Sequence, residues 1–304
     1  MFLHPTGKFD NSARAYHHIE AKPLAAAMGA EIVGVRIGQE SQAQFAEIED
    51  ALFRHKMIYF RGQKIGHAEH HAFSTRFGNF AEDAYTDGMP GFREVQPLIK
   101  EADDNSEHIF GSGWHTDSPF LPEPPAITML RSVQIPPFGG DTMWTNSALA
   151  YSMLSEPMQR MIAVLKVHFS MRDVLASAQA HAEQRESPVG RLVAMKELSA
   201  SVLAKVRGNM HPLVRTHARS GEKALYLDPS YAIGLEGFRD EEAAPLLKYL
   251  NDHLTQPAFT CRLRWETGML ALWDNRLCLH QAFNDYQGHR REMYRTTIAG
   301  EVPR

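Results

Sequence analysis

His115 and Asp117 stand two residues apart in the segment Gly113-Trp114-His115-Thr116-Asp117-Ser118-Pro119-Phe120. Successive side chains of an extended chain point to opposite faces, so one imidazole and one carboxylate are delivered to the same point while Thr116 turns away. Such a pair is half of a facial site for a divalent metal. A second imidazole from elsewhere in the chain would complete three ligands and leave the opposite positions open, as at non-haem Fe(II) centres. The pair decides nothing alone, because the chain carries sixteen histidines and His-x-Asp recurs by chance.

The candidate partner is His280, at the end of Leu272-Trp273-Asp274-Asn275-Arg276-Leu277-Cys278-Leu279-His280, a run apolar enough for a buried strand. Asp285-Tyr286 and the basic run His289-Arg290-Arg291 follow, and then Arg295. Four residues apart on a strand, Arg291 and Arg295 share a face and can reach one cavity. The planar fork of arginine can hold a carboxylate through two parallel charge-assisted bonds. His67, His70 and His71 also cluster, on an expected helix over 67–77. They sit amid Ala, Glu and Ser, and a solvated face is expected for them rather than a ligand role.

Positioning these side chains falls to many short strands. Strand signals occur at 57–60, 94–99, 126–133, 142–145, 211–216, 224–228, 269–274 and 294–299. The clearest lies at 259–265, where Phe259, Cys261, Leu263 and Trp265 alternate with polar residues. Phe45, Ile48, Leu52 and Phe53 mark a helix over 41–55, and Leu246, Leu247, Leu250 and Leu254 another over 240–254. Ser147 and Ser155 are expected N-caps, with Pro157 in a first helical turn. Residues 172–210 are polar and the least patterned, and read as an irregular, lid-like insertion. Short strands with helices outside them and no internal repeat predict a sandwich or a jelly-roll barrel with helical insertions. A length of 304 residues fits a single catalytic domain over 1–304.

Composition excludes several classes of function. Thirty-two basic and thirty-six acidic residues give a net charge of −4 with no basic block, so no nucleic-acid partner is expected. The apolar runs are too short to span a bilayer, and Met1-Phe2-Leu3-His4-Pro5 lacks the pattern of a secretory signal. A cytoplasmic location is expected. Cys261 and Cys278 lie in apolar strand-like runs, where reduced, unpaired thiols are expected.

Taken in order, Trp-His-Thr-Asp at 114–117, the Gly139-Gly140-Asp141-Thr142 turn, Trp273-Asp274-Asn275 before His280, and arginines eleven and fifteen residues beyond that histidine form one pattern. It resembles the Fe(II)- and 2-oxoglutarate-dependent dioxygenases of the taurine dioxygenase and phenoxyalkanoate-herbicide dioxygenase family, from near Ala30 to the C-terminus. The resemblance implies a mixed α+β fold with a double-stranded β-helix (jelly-roll) core and flanking helices. It also implies that His115, Asp117 and His280 bind Fe(II), that Thr142 and Arg291 hold 2-oxoglutarate, and that O2 is the second cosubstrate. A small organic anion would be hydroxylated, with release of succinate and CO2. Family members usually associate, so a homo-oligomer is expected.

For the substrate, the resemblance points to Arg295; Ser118 and Asp83 are further candidates, Phe80, Tyr85 and Phe120 are expected to line an apolar pocket, and Arg290 is expected in a surface ion pair. Taurine dioxygenase has a substrate-binding His after its Arg-Phe-Gly segment and an Asn four residues before its first iron ligand. The matching positions here read Arg76-Phe77-Gly78-Asn79-Phe80-Ala81-Glu82-Asp83 and Gly111. These departures favour an alkylsulfonate, alkyl sulfate or aryloxyalkanoate over taurine. Two rivals share the ligand trio: a zinc-dependent enzyme, which has no need of Arg291 and Thr142, and a non-catalytic jelly-roll protein, which has no need of three intact ligands.

Overall fold

Met57-Ile58-Tyr59-Phe60 and Leu270-Ala271-Leu272-Trp273 are apolar without interruption because both strands are buried on two faces. The structure, a computed structural model, describes residues 9–82, 88–104, 111–180, 204–205 and 207–304. Its seven-stranded sheet runs in the order β1 (Glu20–Pro23), β2 (Ala30–Val33), β3 (Met57–Phe60), β13 (Leu270–Asp274), β5 (Ile127–Gln134), β15 (Arg291–Ile298) and β4 (Gln96–Lys100). Neighbours pair antiparallel except β2 with β3, which are parallel.

One face of this sheet lies under α1 (Gln42–His55) and α2 (His67–Thr75). There Ile58, Phe60, Met129, Leu270 and Leu272 pack with Phe45, Ile48, Leu52 and Phe73. The alternate residues Met57, Tyr59, Leu130, Ala271 and Trp273 form the other face. They pack with Trp144, Cys261, Leu263 and Cys278 of a three-stranded sheet, β12 (Thr260–Leu263), β6 (Thr142–Asn146) and β14 (Cys278–Ala282). Two facing sheets make the jelly roll, and burying each large apolar side chain contributes roughly 1.5–3 kcal/mol. A third cluster lies under α6 (Asp240–Leu254), with β7 (Lys166–Phe169), β9 (Val214–Thr216), β10 (Lys223–Leu225) and β11 (Ala232–Leu235), and β8 (Asn209–Pro212) pairs with β7.

Several local expectations are corrected. Asn146, not Ser147, caps α3 (Ser147–Ser152), its Oδ1 accepting the Leu149 N–H at 2.9 Å, whereas Ser155 does cap α4 (Glu156–Ile162). Part of the expected lid at 172–210 is regular: α5 (Arg172–Ala180) opens it and β8 closes it, and residues 181–203 and 206 lie outside the described residues. His70 is fully buried rather than solvated. The face of α2 that carries it lies over β15, and Thr296 Oγ1 meets its Nε2 at 3.2 Å. Cys261 and Cys278 are buried and unpaired as expected. No helix among the described residues is long and apolar enough to cross a membrane.

Candidate active site

His280 sits in the middle of β14, whose other edge is held by β6. Its free edge takes up the 115 segment through two reciprocal bonds: His115 N–H to His280 O at 2.9 Å and His280 N–H to His115 O at 2.7 Å. This single bridge replaces the continuous strand expected around His115, since Ser118 has φ +47° and the chain turns there. The bridge brings the two imidazoles together, with ring centroids 4.0 Å apart. Ligand-type atoms of His115, Asp117 and His280 all lie within 4.8 Å of one another. All three residues are buried.

Burial holds both imidazoles below the usual histidine range, His280 well below it, with the neighbouring His115 adding to the effect there. Both rings are therefore neutral near pH 7. His115 Nδ1 faces the Gly113 carbonyl at 2.8 Å; a carbonyl only accepts, so this nitrogen carries the proton and Nε2 keeps its lone pair. His280 Nδ1 has no hydrogen-bond partner among the described residues. Burial works against ionising Asp117, but Arg295 and the two histidines, with a bond from Thr128, bring its carboxyl below the usual range. Thr128 Oγ1 donates to Asp117 Oδ2, and Arg295 Nη1 stands 3.4 Å from Oδ1.

Asp228 clamps the segment from behind. Its Oδ2 accepts the Thr116 N–H at 2.7 Å, and Ser230 Oγ donates to the Trp114 carbonyl at 3.0 Å. Burial pushes the Asp228 carboxyl up to about 8. Thr128, Asp228 and Gln96, which accepts from Arg295 Nε at 3.0 Å, are positions that sequence reasoning passed over. Their signal was a polar residue inside or at the end of an apolar run: Thr128 between Ile127 and Met129, Asp228 closing Ala224-Leu225-Tyr226-Leu227.

Arg291 and Arg295 point from β15 into the interior, each largely buried. Arg291 Nε and Nη2 have no hydrogen-bond partner among the described residues, and burial weakens this guanidinium's hold on its proton. Gly140 makes room for it: a Cβ there would lie 3.2 Å from Arg291 Nε, and its φ of +68° also suits glycine. Two residues on, Thr142 Oγ1 accepts from Trp265 Nε1 at 2.9 Å. The indole only donates, so the Thr142 proton remains available to an acceptor. Arg290 pairs with Glu101 at 2.9 Å on the surface, as expected.

Of the remaining candidates, Phe120 and Ser118 lie among the described residues. Phe120 has no exposed surface and packs edge-on against Tyr231, with centroids 5.1 Å apart, in the cluster under α6. That placement gives it a packing role in place of the pocket wall expected. Ser118 is buried at the turn after Asp117, its carbonyl accepting the Leu121 N–H at 3.1 Å. Asp83 and Tyr85 lie outside the described residues.

A jelly-roll core that gathers two imidazoles and a carboxylate, and that buries a guanidinium whose Nε and Nη2 have no partner among the described residues, is what a 2-oxoglutarate-dependent oxygenase would need. The chain belongs to the taurine catabolism dioxygenase family (TauD, TfdA), whose model matches residues 20–297. It is similar to an alpha-ketoglutarate-dependent sulfate ester dioxygenase of Pseudomonas putida, 34% identical over 295 residues that cover 96% of this chain and 93% of that protein. An alkylsulfatase of Acinetobacter baylyi is 32% identical over 290 residues, covering 93% and 86% respectively. The crystal structure of a taurine dioxygenase from Burkholderia xenovorans superposes with a TM-score of 0.77 at 34% identity, covering 94% of this chain and 93% of that one.

Proposed function

We propose that this dioxygenase uses Fe(II), 2-oxoglutarate and O2 to hydroxylate a small organic anion of the alkyl sulfate, alkylsulfonate or aryloxyalkanoate type, releasing succinate and CO2. One observation carries the reading: His115, Asp117 and His280 offer ligand atoms within 4.8 Å of one another, while Arg291 keeps two buried nitrogens without a partner among the described residues.

The residues fit both groups. Two neutral imidazoles and one ionised carboxylate are the protonation states and donor atoms that ferrous iron takes, and His280 Nδ1 has no partner among the described residues. Arg291 and Thr142 would hold the far carboxylate of 2-oxoglutarate, the guanidinium through charge-assisted bonds and the hydroxyl through its available proton. Iron, when bound, supplies the redox chemistry that couples oxidative decarboxylation of the cosubstrate to hydroxylation of a substrate carbon. The protein's part is to bind, orient and exclude water. Thr128 fixes the Asp117 carboxylate, Asp228 fixes the chain between the two ligands, and Arg291 offers a buried charge that a carboxylate neutralises. Arg295, beside Asp117, offers a second cation for the anionic end of the substrate. A hydrolase built on the same three ligands would have no use for Arg291.

Sulfate esters head the substrate class, because relatives with that activity in their names share about a third of their residues with this chain. Gly111 supports a substrate other than taurine: it offers no side-chain amide where taurine dioxygenase has an asparagine, and a Cβ there would stand 3.0 Å from His115 Cε1, so that ring would have to give by a few tenths of an ångström. The buried, unpaired cysteines support a cytoplasmic setting.

The test is a panel of alkyl sulfates, sulfonates, phosphonates and aryloxyalkanoates with Fe(II), ascorbate and 2-oxoglutarate, read as succinate formed per substrate consumed. Coupled turnover is expected with an alkyl sulfate and none in His280→Ala. Arg295→Ala should raise the substrate KM by about tenfold or more while the 2-oxoglutarate KM stays within about threefold. Absence of coupled turnover across the panel contradicts the substrate class, and the opposite KM pattern exchanges the two arginines.

A further inference from the structure

Between Trp273 and Asp117 three hydrogen bonds run in one direction. Trp273 Nε1 donates to Asn275 Oδ1 at 2.9 Å. An indole nitrogen only donates, so this bond settles which end of the Asn275 amide is oxygen and turns Nδ2 the other way. Asn275 Nδ2 then donates to Thr128 Oγ1 at 2.8 Å. A hydroxyl owns one proton; with its oxygen already accepting from a donor-only nitrogen, that proton passes to Asp117 Oδ2. Trp273, Asn275, Thr128 and Asp117 are all 5% exposed or less, so bulk water cannot replace a missing member. The backbone of Asn275 acts on the same segment, its carbonyl accepting Thr116 Oγ1–H at 3.0 Å.

We propose that Trp273, Asn275 and Thr128 form a one-way donor relay that positions Asp117, holding Oδ2 on Thr128 so that Oδ1, 3.4 Å from Arg295 Nη1, is the oxygen offered to the metal. The relay rests on the reading of His115, Asp117 and His280 as a metal centre. It also accounts for the Trp-Asp-Asn run before His280: Trp273 and Asn275 act on the site through the relay, whereas Asp274 between them turns to a separate group of charges. These are positioning residues, since none touches the metal itself. Their effect is directional. Reversing one bond has the same consequence as deleting it, because the Thr128 proton then leaves Asp117.

The test uses the metal-free protein titrated with Mn(II) alone by calorimetry, beside thermal unfolding in chelator. Thr128→Val deletes the donor at nearly constant shape and should weaken Mn(II) binding by about 10- to 100-fold. Thr128→Ser, which keeps the hydroxyl, should stay within about threefold of wild type. Asn275→Asp presents an acceptor where Thr128 now meets a donor, draws the hydroxyl proton away, and should weaken binding by about tenfold or more. It decides the case if Thr128→Val does not fold. Wild-type affinity in Thr128→Val or Asn275→Asp overturns the relay, as does an equal loss in Thr128→Ser, which would mark packing as the cause. His280→Ala separates the two readings: unchanged Mn(II) affinity there removes the metal centre itself, whereas loss there with none in Thr128→Val or Asn275→Asp removes only the relay.

Discussion

Arg276 and Arg291 are both buried arginines within the last thirty residues, and their surroundings are opposite. Arg276 forks onto Asp274, Nε to Oδ1 at 2.8 Å and Nη2 to Oδ2 at 2.7 Å, and reaches Glu301 at 3.2 Å. Asp274 also meets His217 Nε2 at 3.0 Å, and Glu301 also pairs with Arg215 at 2.6 Å. Burial disfavours the charge on Arg276, yet Asp274 and Glu301 outweigh it and tighten its hold on its proton. Burial also disfavours the charge on Arg291, where the nearest help is weak, from Tyr286 and Asp141, and the balance goes the other way. A saturated cation of the first kind ties strand ends together; an unsaturated one of the second kind suits the anion-binding role proposed for Arg291.

The sharpest way to break this comparison is to remove each charge in turn. Arg291→Met should abolish turnover and weaken 2-oxoglutarate binding by about 100-fold or more, while the unliganded protein unfolds at the same urea concentration as wild type or a higher one. Arg276→Met should do the reverse to stability, lowering it by about 3–5 kcal/mol in urea unfolding, because Asp274 is left buried without its main counter-charge. Equal destabilisation by the two changes would erase the distinction.

Buried histidines extend the comparison to groups that can shed their charge. Burial pushes His70 down to about 3, and burial with the charges of Arg54 and Lys56 pushes His55 down to about 4. Both values lie below the ordinary 6.5, so the unfolded chain takes up protons first. Their contribution is therefore complete above about pH 6.5 and declines as the pH falls toward 3–4. Urea midpoints at about pH 7.5 and about pH 5 should reveal a loss near 2 kcal/mol for each of these histidines, and His70→Gln should remove one share of it. A flat wild-type profile over that range would contradict the assignment.

The candidate ligand trio was legible because a divalent metal takes imidazole and carboxylate donors from particular residue types. His115, Asp117 and His280 stood out by type and spacing, and their ligand atoms lie within 4.8 Å of one another, whereas Thr142 and Arg291 came from the family resemblance. The strands of the jelly roll were legible wherever an apolar run was short and bounded by turns, and α1 wherever its apolar residues kept helical spacing. What stayed hidden depends on partners distant in the chain. Thr128 looked like one more residue of a β-compatible run, and its meaning appears only when Asn275 and Asp117 arrive on either side of it. His70 was assigned to solvent from its chain neighbours, whereas its exposure is set by the strand that α2 covers. The bend at Ser118 was hidden too, because an extended segment and a single bridge deliver His115 and Asp117 to the same place.

The central claim is that His115, Asp117 and His280 hold Fe(II) within reach of 2-oxoglutarate anchored on Arg291. Anaerobic addition of Fe(II) and 2-oxoglutarate to the metal-free protein, followed by visible absorption, tests it most directly. The weak charge-transfer band of the iron–2-oxoglutarate chelate should appear in the wild type and be lost in His115→Ala and His280→Ala. No band in the wild type, or an undiminished band in either variant, would contradict the account.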